Sequence, residues 1–287
     1  MVLAIAWALA SAIGYGASDY AAGLAARAAS VIRITLLGEA VSILILLLVV
    51  PWASTQWPSP DSVAWAAAAG LGGITGAMTL YLGFRHAAFS VAGPLSAVAS
   101  AGFSVLAGLL FGEHPSTLSL AGIGLALPAI VAVSASPGGG PAGGDPGHRA
   151  AGAVYGVAAG ACFAILFIGL NRAGSGHDLW PLLISQVAGL VALCLVAAVS
   201  RQLKPPPRRA GWLAVAAGAA SAAGTTCYFL ATHAGLLAVT AVITSLYPGS
   251  TILLARVLLG ERLTAIRLAG LALAAASVVL IAVGGAG

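Results

Sequence analysis

The sequence predicts an all-α integral membrane protein of ten transmembrane helices arranged as two inverted five-helix repeats. Composition, the number of apolar runs and an internal repeat carry that prediction. Of the 287 residues, 60% are apolar and 7% charged, and the mean hydropathy is +1.05. Soluble domains carry about 25% charged residues, so this chain could not cover itself with a water-facing surface. A soluble enzyme is excluded. A membrane-crossing helix takes about 20 mostly apolar residues, and ten of them leave only short connections.

The apolar runs, broken by Pro, Gly and charge, fall near 3–24, 31–50, 63–83, 90–111, 118–136, 151–170, 181–199, 211–231, 238–259 and 265–284. The first is apolar from Val2 without a basic leader or a cleavage site, and reads as a retained helix. The Gly- and Pro-rich linker 137–149 (PGGGPAGGDPGHR) divides the chain into residues 1–136 and 150–287, with five spans each. Another connection, 201–209 (RQLKPPPRR), is stiffened by three prolines and carries four positive charges.

The two parts look like copies. Tyr81-Leu-Gly-Phe-Arg-His86 precedes Tyr228-Phe-Leu-Ala-Thr-His233 by 147 residues. Leu110-Phe-Gly-Glu113 precedes Leu258-Leu-Gly-Glu261 by 148, and Leu120-Ala-Gly122 precedes Leu268-Ala-Gly270 by the same shift. A near-constant offset across separated blocks marks a repeat. An odd number of spans per copy makes the second enter the membrane from the opposite side, the inverted topology of many secondary transporters.

Ser245-Leu-Tyr-Pro248, Leu253-Leu-Ala-Arg256-Val-Leu-Leu-Gly-Glu261, the paired Gly-Glu turns and Gly16-Ala-Ser-Asp19-Tyr with Gly23 resemble the drug/metabolite transporter superfamily, in its ten-helix EamA branch. The resemblance spans nearly the whole chain. It implies architecture and transport, and leaves the substrate open among amino acids, sugars, nucleosides and toxic compounds.

Taken in order, the spans supply these site residues. Span 1 places Trp7, Ser11, Tyr15 and Asp19 on one face by steps of four, against Tyr155, Ala159, Phe163 and Phe167 of span 6. Beside these run small-residue stripes, Ala4, Ala8 and Ala12 against Gly152, Gly156 and Gly160, that permit close helix approach. Their aromatic neighbours either line a cavity or pack as belt residues. Span 2 carries the deepest acid, Glu39, whose counterpart at offset 147 in span 7 is Gln186. A charge at a membrane helix centre costs about 2.5–3.5 kcal/mol on the mild insertion scale. Glu39 therefore either binds a substrate amine, exchanges a proton or ties helices together. Asp19, a second proton-coupling candidate, is either interfacial or a gate or binding residue.

Spans 3 and 8 add Tyr81 and Tyr228, with Thr79 and Thr226 two residues earlier, and end in His86 and His233, read as interfacial. Spans 4 and 9 end in Glu113 and Glu261, read as turn residues ahead of the N-caps Ser116 and Thr264. In span 9, Tyr247 precedes the helix-breaking Pro248-Gly249, and Arg256 lies inside the span with Glu39 or Asp19 as conceivable partners. The candidate substrate-binding set is Ser11, Tyr15, Asp19, Glu39, Tyr81, Phe163, Gln186, Tyr228 and Tyr247.

Connections after odd-numbered spans and their borders hold Arg27, Arg33, Arg85, Arg149, Arg201, Lys204, Arg208, Arg209, Arg262 and Arg267; those after even-numbered spans hold Arg172 alone. The positive-inside rule then puts both termini outside, whereas the resemblance implies both inside, with a basic loop after span 2. Here that loop, 51–61, has no positive charge.

The expected function is a secondary exporter in the plasma (inner) membrane for a small polar or amphipathic metabolite, amino-acid-like or cationic, acting by alternating access. Aromatic rings suit such a body through apolar and cation–π contact. No GxxxxGK[ST] loop occurs, so ATP is not expected to drive it. The rivals are a multispanning enzyme acting on lipid, for which GxSxG and HExxH are lacking, and a passive channel or structural membrane protein. Neither cofactor nor metal is expected: Cys162, Cys194 and Cys227 lie in apolar runs without ligand spacing. The net charge of +5 reports orientation rather than nucleic-acid binding. The partners expected are a small-molecule substrate and the bilayer, and the small-residue stripes fit internal packing or a homodimer equally.

Overall fold

The computed structural model describes residues 1–53, 57–86, 89–134, 146–174, 178–259 and 264–284; at positions 53, 81, 84–86, 89–91, 146–149 and 259 it describes the backbone alone. Among the described residues the chain is helical throughout: α1 (Val2–Ala25), α2 (Val31–Ala53), α3 (Pro60–His86), α4 (Phe89–Leu110), α5 (Thr117–Ser134), α6 (Pro146–Arg172), α7 (Trp180–Val199), α8 (Arg208–Ala234), α9 (Leu237–Thr244), α10 (Tyr247–Leu259) and α11 (Ala265–Gly284). They make ten spans long and apolar enough to cross a membrane, because α9 and α10 together form one broken span. Large apolar side chains such as Leu48, Leu106, Leu195 and Val257 point outward, where a bilayer would solvate them.

The break follows from Pro248. A proline has no N–H to give the carbonyl four residues back and its ring crowds that carbonyl, so the helix stops at Thr244 and restarts at Tyr247. Leu246 N–H turns back to Ile243 O at 3.1 Å. Capping fixes other ends: Ser116 Oγ accepts from Ser119 N–H at 3.2 Å before α5, and Thr264 Oγ1 from Arg267 N–H at 3.4 Å before α11.

The two parts of the chain interleave. α1 packs along α8 and α3 along α6; α4 lies on α6 as the α9–α10 span lies on α1; α2 meets α8 as α3 meets α7; and α5 pairs with α11. These principal contacts map onto themselves when α1 to α5 are exchanged for α6, α7, α8, the α9–α10 span and α11. Small residues permit the closest crossings. A Cβ on Gly14 would stand 2.7 Å from Gly224 Cα, and one on Gly218 would stand 2.7 Å from Gly38 Cα.

The expectation that the stripes of spans 1 and 6 form a common packed core needs correcting. α1 and α6 are not among the principal packed pairs. Gly156 and Gly160 face Ala92 and Ser96 of α4, and Ala8 joins the apolar cluster that holds Val242 and Ile243 of α9. Each stripe meets the fourth span of the other part of the chain.

Candidate functional site

Half-way through the bundle, α1, α2, α3, α4, α6, α7, α8 and α10 leave a cavity of about 700 Å³, within the range of ligand pockets. Its wall runs from Tyr15, Glu39, Phe163, Gln186 and Tyr247 to Ala26, Val31, Ser134 and Arg267, which lie at helix ends on the face carrying the connections after odd-numbered spans. We call this the mouth face. Asp19, Gly23 and Ala26 have accessible surface along it.

Helices α2 and α7 set the polar centre. Each packs closely on a neighbour: Gly70 of α3 has no Cβ where it meets the Ser185 backbone of α7, and Gly38 of α2 has none where it meets α8. Glu39 is half-buried and Gln186 buried, and both are on the wall. Glu39 Oε2 and Gln186 Nε2 are each buried without a hydrogen-bond partner among the described residues. A buried unpaired polar atom costs about 1–3 kcal/mol, which a ligand bearing a donor and an acceptor would remove. Around them the hydroxyls are engaged. Ser42 Oγ donates to Gly218 O at 2.7 Å, Ser185 Oγ to Leu182 O at 2.8 Å, and Tyr15 Oη pairs with Thr225 Oγ1 at 3.0 Å.

The structure brings Tyr15, Asp19, Glu39, Phe163, Gln186 and Tyr247 of the candidate set onto this wall. Two others are off it. Tyr228 is fully buried in the packing, donates from its hydroxyl to Phe167 O at 3.1 Å and stacks on the Phe167 ring at 4.5 Å. Ser11 is fully buried with an unpartnered Oγ outside the lining. The side chains of Tyr81 and His86, and Glu261 altogether, lie outside the described residues. Arg256 is an exposed residue of the last turn of α10, not a deep charge. Trp7 packs against the cluster of α1, α4, α5 and α9, and Tyr155 against Gly83 of α3. Thr226 spends its hydroxyl on Ala222 O at 2.8 Å, while its neighbour Thr225 reaches the wall.

The wall also holds Ser42, Ser185 and Thr225, which the residue reading did not single out. A signal for the first two exists: Gly38-Glu39-Ala-Val-Ser42 and Ser185-Gln186-Val-Ala-Gly189 repeat a small residue, an acid or its amide, and a small residue three on, at offset 147.

Opposite the mouth face the bundle is packed shut. Leu46, Val50, Phe167, Leu170, Leu182, Leu183, Tyr228, Phe229 and Leu237 form one apolar plug at the other ends of their helices. Above it, Trp57 and Trp180 stack at 4.9 Å, Arg172 lies 4.9 Å over the Phe111 ring, and Asn171 Nδ2 donates to Thr232 Oγ1 at 2.8 Å. His233 sits there between the carbonyls of Phe229 and Gly174, at 2.8 and 3.3 Å.

A ten-span helical bundle with a central cavity reaching one face belongs to a class, the multi-pass membrane proteins. Residues 150–283 match the EamA-like transporter family, so this part of the chain is similar to membrane transporters of the drug/metabolite type. The fold is similar to that of a solved crystal structure over 95% of this chain and 98% of that one, with a TM-score of 0.75 and 17% identity. Among curated proteins, no sequence matches the chain.

Proposed function

We propose that the protein is a secondary exporter of a small polar or amphipathic metabolite, amino-acid-like or cationic, working by alternating access between its two five-helix repeats. The observation that carries this reading is the pair of unpartnered atoms, Glu39 Oε2 and Gln186 Nε2, in a cavity that reaches the mouth face while the plug fills the other. Glu39 accepts a hydrogen bond from a substrate ammonium or N–H, and Gln186 donates to a substrate oxygen. Tyr15, Phe163 and Tyr247 face the apolar or cationic body. The contact pattern that maps onto itself supports two related repeats. In such an arrangement one rearrangement closes the mouth and opens the plug.

The charge distribution supports a cytoplasmic mouth face, and in this reading, in the plasma membrane, the cavity loads from inside. A reporter fused after Gly287 that is active only in the cytoplasm would reverse that orientation. Coupling runs through a proton on Glu39, deep on the wall, or Asp19, on the accessible stretch nearer the mouth.

The test compares metabolites in cells and medium for cells overexpressing the wild type or Glu39→Gln at equal membrane levels. One metabolite class accumulating outside with the wild type alone is the expected result. Identical profiles for wild type, variant and empty cells would overturn export.

A further inference from the structure

A bond between the two parts of the chain lies beside the plug. α4 ends in a Schellman motif: Gly112, at φ +86°, gives its N–H to Leu109 O at 3.1 Å, and Glu113 gives its N–H to Gly108 O at 2.9 Å. A residue with a Cβ would be strained at that positive φ, so Gly112 sets where Glu113 points. The carboxylate lies against Gly108, which has no Cβ to block it, and accepts from the backbone N–H groups of Leu237 at 2.5 Å and Ala238 at 2.9 Å. Those are the first two residues of α9, whose own N-cap, Leu236, makes no side-chain cap bond. The Leu237 side chain is fully buried in the plug.

A helix normally takes its cap from its own preceding residue, and keeps it however the helix moves. Here the cap comes from the other half of the chain. Its two bonds are charge-assisted and favoured by the helix dipole, and they exist only while the end of α4 lies beside the start of α9. The same turn carries Phe111 under Arg172 of α6.

We propose that Glu113 is the latch of the closed face: its carboxylate, bridging the end of α4 to the first two N–H groups of α9, holds the plug shut and must release them for that face to open. This positioning role rests on the alternating-access reading.

The test uses the full chain with Cys162, Cys194 and Cys227 replaced by alanine, in sealed vesicles of either orientation, and a membrane-impermeant methanethiosulfonate reagent. Leu46→Cys reports the plug and Thr35→Cys the mouth wall. Glu113→Ala removes both acceptors and is expected to raise Leu46→Cys labelling from the closed face about tenfold, as loss of bonds worth about 1.4 kcal/mol shifts an equilibrium by a decade. Glu113→Gln keeps one acceptor oxygen and is expected to give about threefold. Unchanged labelling in both variants overturns the latch. So does failure of both to fold, which makes Glu113 a folding residue. The reading beneath it fails separately: with Glu113 intact, Thr35→Cys labelled faster from the closed face than from the mouth face would overturn the cavity's one-sided access and not the latch.

Discussion

The mouth face and the closed face of this bundle are built on the same helices with different chemistry. Towards the mouth, α1, α2 and α7 present Asp19, Glu39, Gln186 and small residues to open space. Towards the closed face the same α2 and α7 present Leu46, Val50, Leu182 and Leu183, which fill one another's gaps. Backbone crossings of Gly14 on Gly224 and Gly38 on Gly218 join the two regions. The difference teaches that the closed state is held by packing and a few directed bonds, while the open side leaves polar groups without partners. Release of the plug is opposed by packing; binding in the cavity is favoured by need.

The change expected to blur that contrast most is Gly218→Leu, which forces apart the α2 and α8 backbones. We expect it to cost near the upper end of the ~1–3 kcal/mol range for overpacking, read as a large fall in Tm and loss of transport. Gly124→Leu, where a Cβ meets nothing within 4 Å, is expected to leave Tm unchanged and serves as its control. If both behave alike, close approach is not what fixes the crossing.

Next in size is Glu39→Gln. Loss of a hydrogen bond to a charged group, about 1.5–3 kcal/mol, converts to roughly 10- to 150-fold slower export at equal membrane level. Export at the wild-type rate would remove Glu39 from the site. Tyr228→Phe and Tyr15→Phe then separate plug from wall. The first deprives Phe167 O of its donor and is expected to lower stability by about 1 kcal/mol, read by thermal unfolding. The second frees Thr225 on the wall and is expected to change transport more than Tm. The opposite assignment of the two effects would break the comparison. Smallest is Gln202→Ala, which removes the bond from Ser30 Oγ across the mouth face. About 0.5 kcal/mol is expected, with export unchanged in a transport assay.

Much of the fold was legible because hydrocarbon imposes a length and a composition on every span. The tenfold count and the weakness at Pro248 are both in the sequence. The break itself falls earlier, at Ser245 and Leu246, because a proline frees the carbonyl behind it. Within the site, Glu39 and Gln186 stood out because such groups are costly in a span and occupied repeat-equivalent positions. Tyr15 and Tyr228 did not separate. Each is a tyrosine within an apolar run, and only the packing around each helix decides that one faces space and the other a backbone carbonyl. Thr225 was silent for a related reason, and Ser42 and Ser185 were marked only as the small residues flanking Glu39 and Gln186 in the repeated pattern. Hydroxyls in membrane helices often bond their own backbone, and sequence does not show which of them also border a cavity.

The interleaving of the two parts has a consequence for how the protein is made. Helices α1 and α2 find their main partner in α8, and α3 in α6, so the first five spans reach the bilayer before the surfaces they are shaped to meet have been synthesised. Glu39 then faces lipid or its immediate neighbours until α7 and α8 arrive. Assembly is therefore expected to be a late, whole-chain event. Residues 1–136 and 150–287 made as separate chains in one cell should find each other and restore export, while either alone should be degraded.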